Sequence, residues 1–195
     1  SVMDMNLRQF VLLVIDAAGG AVSGKTYLQK LCFFVGVKSR NTSLGFRPHY
    51  YGPYSDQVSG ELSYLKGAGY ISEQRRGSGF ADSSGWEVTR YDYSVTAEGR
   101  AAANGLRELF PAESKSVDSA VKAIVDSGPL DYMALSVAAK TYWILSESGA
   151  KPISLDKISD QAASLRWKIT KDQVEAATTF LEKLDLVKRI APQAT

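Results

Sequence analysis

The segment Gly19-x4-Gly24-Lys25-Thr26 matches the pattern of a loop that cradles phosphate with backbone N–H groups and a lysine. That chemistry needs a buried strand before the loop and a helix after it. The run Phe10–Ile15 (FVLLVI) could be such a strand, but Leu7, Phe10, Val11, Val14 and Ala18 keep helical spacing. No later apolar run ends in an aspartate in the manner of a Walker B strand, and repeated strand–helix units are missing. Nucleotide binding is therefore the third of three readings. Lys25 and Thr26 read first as ordinary first-turn residues of a helix, and no cofactor is expected. His49, the single histidine, stands beside no nucleophile motif, and nothing resembles G-x-S-x-G, so no catalytic residue is assigned and the chain is not expected to be an enzyme. One histidine excludes a site needing two imidazoles. One cysteine, Cys32, excludes an internal disulfide and a cysteine-based zinc site. Cys32 falls on the apolar face of a helix and reads as a small core residue rather than a reactive thiol.

The charge distribution carries more than the total. The 195 residues hold 23 Lys and Arg against 21 Asp and Glu, a net +2 that demands no anionic partner. Between Asp16 and Asp56, however, no acidic residue occurs, while Lys25, Lys30, Lys38, Arg40, Arg47 and His49 do. Phe46, Tyr50, Tyr51 and Tyr54 are interleaved with them. Bases next to aromatic rings suit phosphate contact with stacking, although the tyrosines could equally anchor the segment to neighbouring helices. Arg75 and Arg76 lie in RRGSGFADSSG, a glycine-rich stretch of hairpin type. The candidate nucleic-acid contacts are accordingly Lys38, Arg40, Arg47, His49, Tyr50, Tyr51, Gln57, Lys66, Arg75 and Arg76, with the four arginines converging on one face. Asp56 and Glu61 on the third helix oppose this, since acids on a recognition helix repel phosphate.

The positioning elements follow from spacing and caps. Helices are expected at 5–18, 25–37, 55–68 and 96–110, with Ser55 and Thr96 as N-caps and Pro111 as a breaker. Residues 39–54 form an insertion rich in turn formers, with one short strand near 47–51. Strands at 70–74 and 86–94 make a hairpin. Beyond 111, helices are expected at 114–126, 130–147, 154–165 and from 170, and a terminal strand at 186–190. Asp56-Gln57-Val58 recurs as Asp172-Gln173-Val174, and at the same offset Tyr70-Ile71 meets Leu186-Val187, so the second half could repeat the helix-to-strand pattern of the first. The expected fold class is mainly α with a small β-hairpin, α+β: a winged helix-turn-helix module over 1–110 and a helical module over 111–195 that could be a second helix-turn-helix.

Two strings, Gly24-Lys25-Thr26 with Leu28-Gln29-Lys30-Leu31 and His49-Tyr50-Tyr51-Gly52-Pro53-Tyr54-Ser55, followed by Leu65 through Gly69-Tyr70-Ile71, resemble prokaryotic YwgA-like proteins. The LQKL run and a later Gly-Pro are similar, more faintly, to Panacea antitoxin domains. The resemblance covers about residues 20–100 and implies a winged-helix-like first half; it transfers no catalytic residue. The expected function is a non-enzymatic, DNA-binding winged-helix regulator of transcription. A protein-docking module of antitoxin or defence type is the alternative. Partners expected are DNA, with a protein partner and a homodimer left open. No run approaches the roughly 20 apolar residues of a membrane span, and no cationic leader precedes Phe10–Ile15, so a cytoplasmic location is expected and no membrane contact.

Overall fold

The computed structural model describes residues 4–41, 44–81, 87–127, 131–149 and 153–188. Helix α1 (Leu7–Ala17) opens on a capping box in which the Asn6 side chain accepts from Gln9 N–H and the Gln9 side chain accepts from Asn6 N–H. Every residue from Phe10 to Asp16 is buried. The uninterrupted apolar run that could have been a strand is thus a helix sealed on all sides, and the phosphate-loop reading loses the strand it requires. Gly19 and Gly20 take positive φ and turn the chain into a short strand, β1 (Ala21–Ser23), which the sequence pattern did not signal. Helix α2 (Lys25–Lys38) follows. Cys32 is fully buried there, and burial pushes its thiol up to about 12.

The segment expected to hold one strand holds two, β2 (Arg47–His49) and β3 (Gly52–Tyr54), paired antiparallel around Tyr50 and Tyr51. Buried polar groups of α2 secure this hairpin. Gln29 donates to Ser55 O and accepts from Ser55 N–H, both at 3.0 Å, and the Lys30 ammonium donates to Pro53 O at 2.8 Å. Ser55 also caps helix α3 (Asp56–Gly67) by accepting from Val58 N–H. Burial, and then the neighbouring Lys140 ammonium, push the Lys30 amine down to about 8.

Strand β4 (Ile71–Ala81) pairs with β5 (Glu87–Val95), and β1 adds to the other side of β5, giving the order β1-β5-β4. Arg75 and Arg76 therefore sit within a strand and not in a loop; the hairpin tip at 82–86 lies outside the described residues. One face of the sheet carries Val22, Ile71 and Tyr93 into the core; the other carries Gln74, Arg76, Arg90 and Asp92. Thr96 caps α4 (Ala97–Leu109). Pro111 does not merely break that helix. It stands at the first position of α5 (Pro111–Asp126), where its missing N–H costs nothing, so α5 starts earlier than expected.

Helices α6 (Tyr132–Glu147), α7 (Leu155–Ser164) and α8 (Lys171–Lys183) complete the chain. Phe33 meets Phe46 at 5.2 Å and Tyr142 at 5.9 Å between ring centroids, both edge-on, and Phe34 meets Phe180 at 5.7 Å, so α2 packs directly on α6 and α8. A smaller apolar cluster of Ile144, Ile158, Ala162, Trp167 and Val174 joins α6, α7 and α8. Residues 186–188 form no strand, and 189–190 lie outside the described residues. The helical part of the internal echo, α3 and α8, is present; α3 runs into β4, while the described residues 186–188 after α8 form no strand. The fold is mainly helical with a small antiparallel sheet. Among the described residues no helix is long and apolar enough to cross a membrane.

Two stability predictions follow from this packing. A Cβ on Gly99 would stand 2.0 Å from Tyr70 O, a backbone atom, whereas one on Gly105 in the same helix meets nothing within 4 Å. Urea unfolding should show Gly105→Ala stabilised by about 0.5–1 kcal/mol from helix propensity and Gly99→Ala destabilised by about 2–3 kcal/mol or more. For Lys30, the folded pKa lies below the unfolded value. Between about pH 8 and 10.5 the unfolded chain then binds the extra proton, so stability rises with pH through that window, by about 3 kcal/mol in total. The Cys32 thiol acts oppositely above about pH 9, because the folded state keeps a proton that the unfolded chain loses. In a Cys32→Ala background, chemical denaturation from pH 7 to 10 should show the rise, and Lys30→Met should abolish it.

Candidate nucleic-acid interface

Helix α3 lies between two basic surfaces. At its C-terminal end, a cleft of about 470 Å³ is lined by Lys25, Ser63, Lys66, Gly67, Glu73 and Tyr91. The first turn of α2 supplies Lys25, the last turns of α3 supply Ser63 and Lys66, and strands β4 and β5 supply Glu73 and Tyr91. Arg75 is paired in register with Tyr91 and shares its face of the sheet, so it extends the cleft toward the hairpin tip. Lys66 Nζ donates to Glu73 Oε1 at 2.9 Å. That hydrogen bond, with the Tyr93 hydroxyl and the charges of Lys66 and Lys25, holds the Glu73 carboxyl below its ordinary range despite some burial. Burial, then Glu73, pushes the Tyr93 phenol up. The cleft thus sets two cations, Lys25 and Lys66, against one ionised carboxylate over a tyrosine, with Arg75 farther along the same sheet face.

The β2–β3 hairpin stands near the N-terminal end of α3. Tyr50 and Tyr51 are exposed at its turn, ring centroids 4.8 Å apart at 88°. His49 is exposed and lies on Tyr54 at 5.0 Å. The His49 carbonyl accepts from Trp167 Nε1 at 2.6 Å, which joins the hairpin to the turn between α7 and α8. Arg166 and Lys168 flank that tryptophan and are exposed.

The expected site residues divide accordingly. Arg47 pairs with Asp56 at 2.5 Å, and Arg8 pairs with Glu61 at 2.7 Å while covering the Tyr64 ring at 3.3 Å. Both acids of α3 are therefore neutralised, which removes the repulsion expected from them. Gln57 is exposed, with its amide against Gly45. Lys66 lines the cleft, whereas the Arg75 guanidinium donates to Thr89 Oγ1 at 3.5 Å, farther toward the hairpin tip. Arg76 does not join them, because successive strand residues point to opposite faces; it pairs instead with Asp92 at 2.8 Å. Lys38 donates to Leu184 O at 2.6 Å and serves to hold α8 on α2. Arg40 lies beyond the far end of α2 from Lys25, about 20 Å away at 1.5 Å per residue, beside Asp4, Glu113 and Ser116. The four arginines do not converge on one face. Ser63, Glu73 and Tyr91 were missed because they become neighbours only through tertiary packing. Lys25 was visible, but as part of a nucleotide motif. Among the described residues no group of three or more His, Cys, Asp or Glu side chains is placed to hold a metal ion.

No family model matches the chain. It is similar to the DNA ADP-ribosyl glycohydrolases of Mycobacterium bovis (strain BCG / Pasteur 1173P2) and Mycobacterium tuberculosis (strain ATCC 25618 / H37Rv), 26% identical to each over 151 residues. The match covers 75% of this chain and 39% of each relative, so the chain spans well under half the length of the curated relatives it matches. These relatives bear the name of an enzyme acting on DNA. That corrects the expectations of a non-enzymatic protein and of a regulator of transcription, and it gives the protein-docking alternative no better support. DNA as a partner agrees with relatives that act on DNA.

Proposed function

We propose that this chain takes part in the removal of ADP-ribose from DNA and that the cleft between α3 and the β4–β5 hairpin seats the modified nucleic acid. The order α1-β1-α2-β2-β3-α3-β4-β5, with β1 completing the sheet, supports a winged-helix reading, a scaffold that presents its third helix to a DNA groove. The observation that carries the reading is that Lys25 and Lys66 both line the cleft, with Arg75 farther along the same face of the sheet. DNA backbone and the pyrophosphate of ADP-ribose are both anionic, and a cleft of this size accommodates a nucleotide-sized group. The Lys66–Glu73 pair is partly exposed and worth about 0–1 kcal/mol, so phosphate can compete for the ammonium. Glu73, held ionised, can accept a proton or stabilise a sugar cation as a glycosidic bond breaks; it cannot act as the acid that protonates a leaving group.

The test uses an ADP-ribosylated oligonucleotide, with binding read by anisotropy across a salt series and ADP-ribose release read on a gel. Binding should weaken steeply with salt, and Lys25→Ala and Arg75→Ala should each flatten the log–log slope by about 1. Both side chains are exposed, so neither change should lower the melting temperature. A chain that neither binds nor processes the modified oligonucleotide, or variants whose slopes match wild type, would falsify the reading.

A further inference from the structure

We infer that the β2–β3 hairpin is a second, separate nucleic-acid site, a platform on which Tyr50 and Tyr51 stack against unpaired bases while Lys140, Arg166 and Lys168 take the adjoining phosphates. The tyrosines are 71% and 49% exposed, yet they sit at the turn of a hairpin whose flanking residues are fixed from below. Pro53 O is held by buried Lys30, Ser55 by Gln29, and His49 O by Trp167. Burying so many polar groups to fix an eight-residue hairpin places two rings in water with little freedom left to lose on binding. Cations adjoin them. A Cβ on Gly52 would stand 3.0 Å from Lys140 Cγ, so the Lys140 stem lies against the hairpin turn, and its Nζ is 5.8 Å from the Trp167 ring. Among the described residues Lys140, Arg166 and Lys168 form no ion pair, and Asp56, two residues past the hairpin in sequence, is already taken by Arg47.

Three cations without counter-acids around exposed rings favour an anionic polymer with free base faces. A duplex offers no such faces, because its bases are already stacked. A protein partner fits less well, since lysine is depleted at the centres of protein interfaces. A single strand satisfies both features at once. The site lies at the opposite end of α3 from the cleft, so its ligand can be tested independently of the reading above.

The chain would be titrated with a fluorescent oligothymidylate, an abasic strand of equal length and a matched duplex. The base-bearing single strand should bind more tightly than the abasic one. Tyr50→Ala with Tyr51→Ala should weaken it by about 5- to 150-fold per stacked base lost, and the corresponding phenylalanine changes should preserve binding. Arg166→Ala and Lys168→Ala should each reduce the salt slope by about 0.7. Lys25→Ala with Arg75→Ala, which alters the cleft, should leave the preference for the base-bearing strand over the abasic one unchanged. Unfolding midpoints equal to wild type would show that the exposed tyrosines were removed without loss of fold. The inference is overturned if the double alanine variant binds the single strand as wild type does, if the abasic strand binds equally well, or if no single strand binds while a protein ligand depends on the same tyrosines.

Discussion

Helix α1 has no exposed side between Phe10 and Asp16, and the rest of the structure is arranged to keep it so. Helices α2, α3, α4 and α5 and strands β1 and β5 all pack against it. An amphipathic helix can be satisfied by one neighbour; a helix apolar all round needs a complete sheath. The single charge in the buried stretch, Asp16, is met by Arg107 at 2.7 Å and lies 3.7 Å from Arg100, both on α4. Arg107 also binds Asp118 on α5 through two bonds of 3.0 Å, and Asp118 first, then Asp16, pushes the guanidinium pKa up. A charge inside the sheath thereby sets how α4 and α5 close over it, since leaving a buried carboxylate unpaired costs several kcal/mol.

Helix α2 repeats the pattern with more consequence for function. It is buried from Leu28 to Gly36, and that stretch includes Gln29 and Lys30. Both need partners away from water, and both find them on the backbone of the hairpin segment. What reads along the chain as an insertion is therefore a structural complement to α2. The exposed tyrosines and the buried lysine are two ends of one arrangement: polar groups below fix the backbone that presents aromatic rings above.

How much of this was legible depended on whether the signal was local. Ser55, Thr96 and Thr170 do cap α3, α4 and α8, because a cap needs only a side chain and an N–H three residues on. The hairpin at residues 71–95 was found but drawn too short, since Arg75 to Ala81 is rich in glycine and serine; cross-strand pairing with β5 outweighed that poor strand propensity. Strand β1 exists only because β5 is beside it, and three residues carry no period. The acid-free window could not say which of its cations were free: Lys30 is taken by Pro53 O, and Arg75, Lys140, Arg166 and Lys168 all lie outside it. Arg47 is taken by an acid outside the window and Lys38 by a carbonyl on α8, nearly the whole chain away.

Helix α3 is what relates the two basic surfaces. From Asp56 to Lys66 it rises about 15 Å, at 1.5 Å per residue, so the hairpin and the cleft are held a fixed distance apart by one rigid element. Its own charges contribute nothing net: Asp56 is paired with Arg47, Glu61 with Arg8 and Lys66 with Glu73. Beyond Lys66, the attraction for phosphate comes from side chains on neighbouring elements, Lys25 and Arg75 at one end and Lys140, Arg166 and Lys168 at the other. A helix read alone as too acidic for nucleic acid becomes a neutral spacer in its tertiary setting. Exposed ion pairs of this kind cost little to exchange, so an approaching phosphate can take Lys66 from Glu73 or Arg47 from Asp56 without disturbing the core, to which neither pair is essential.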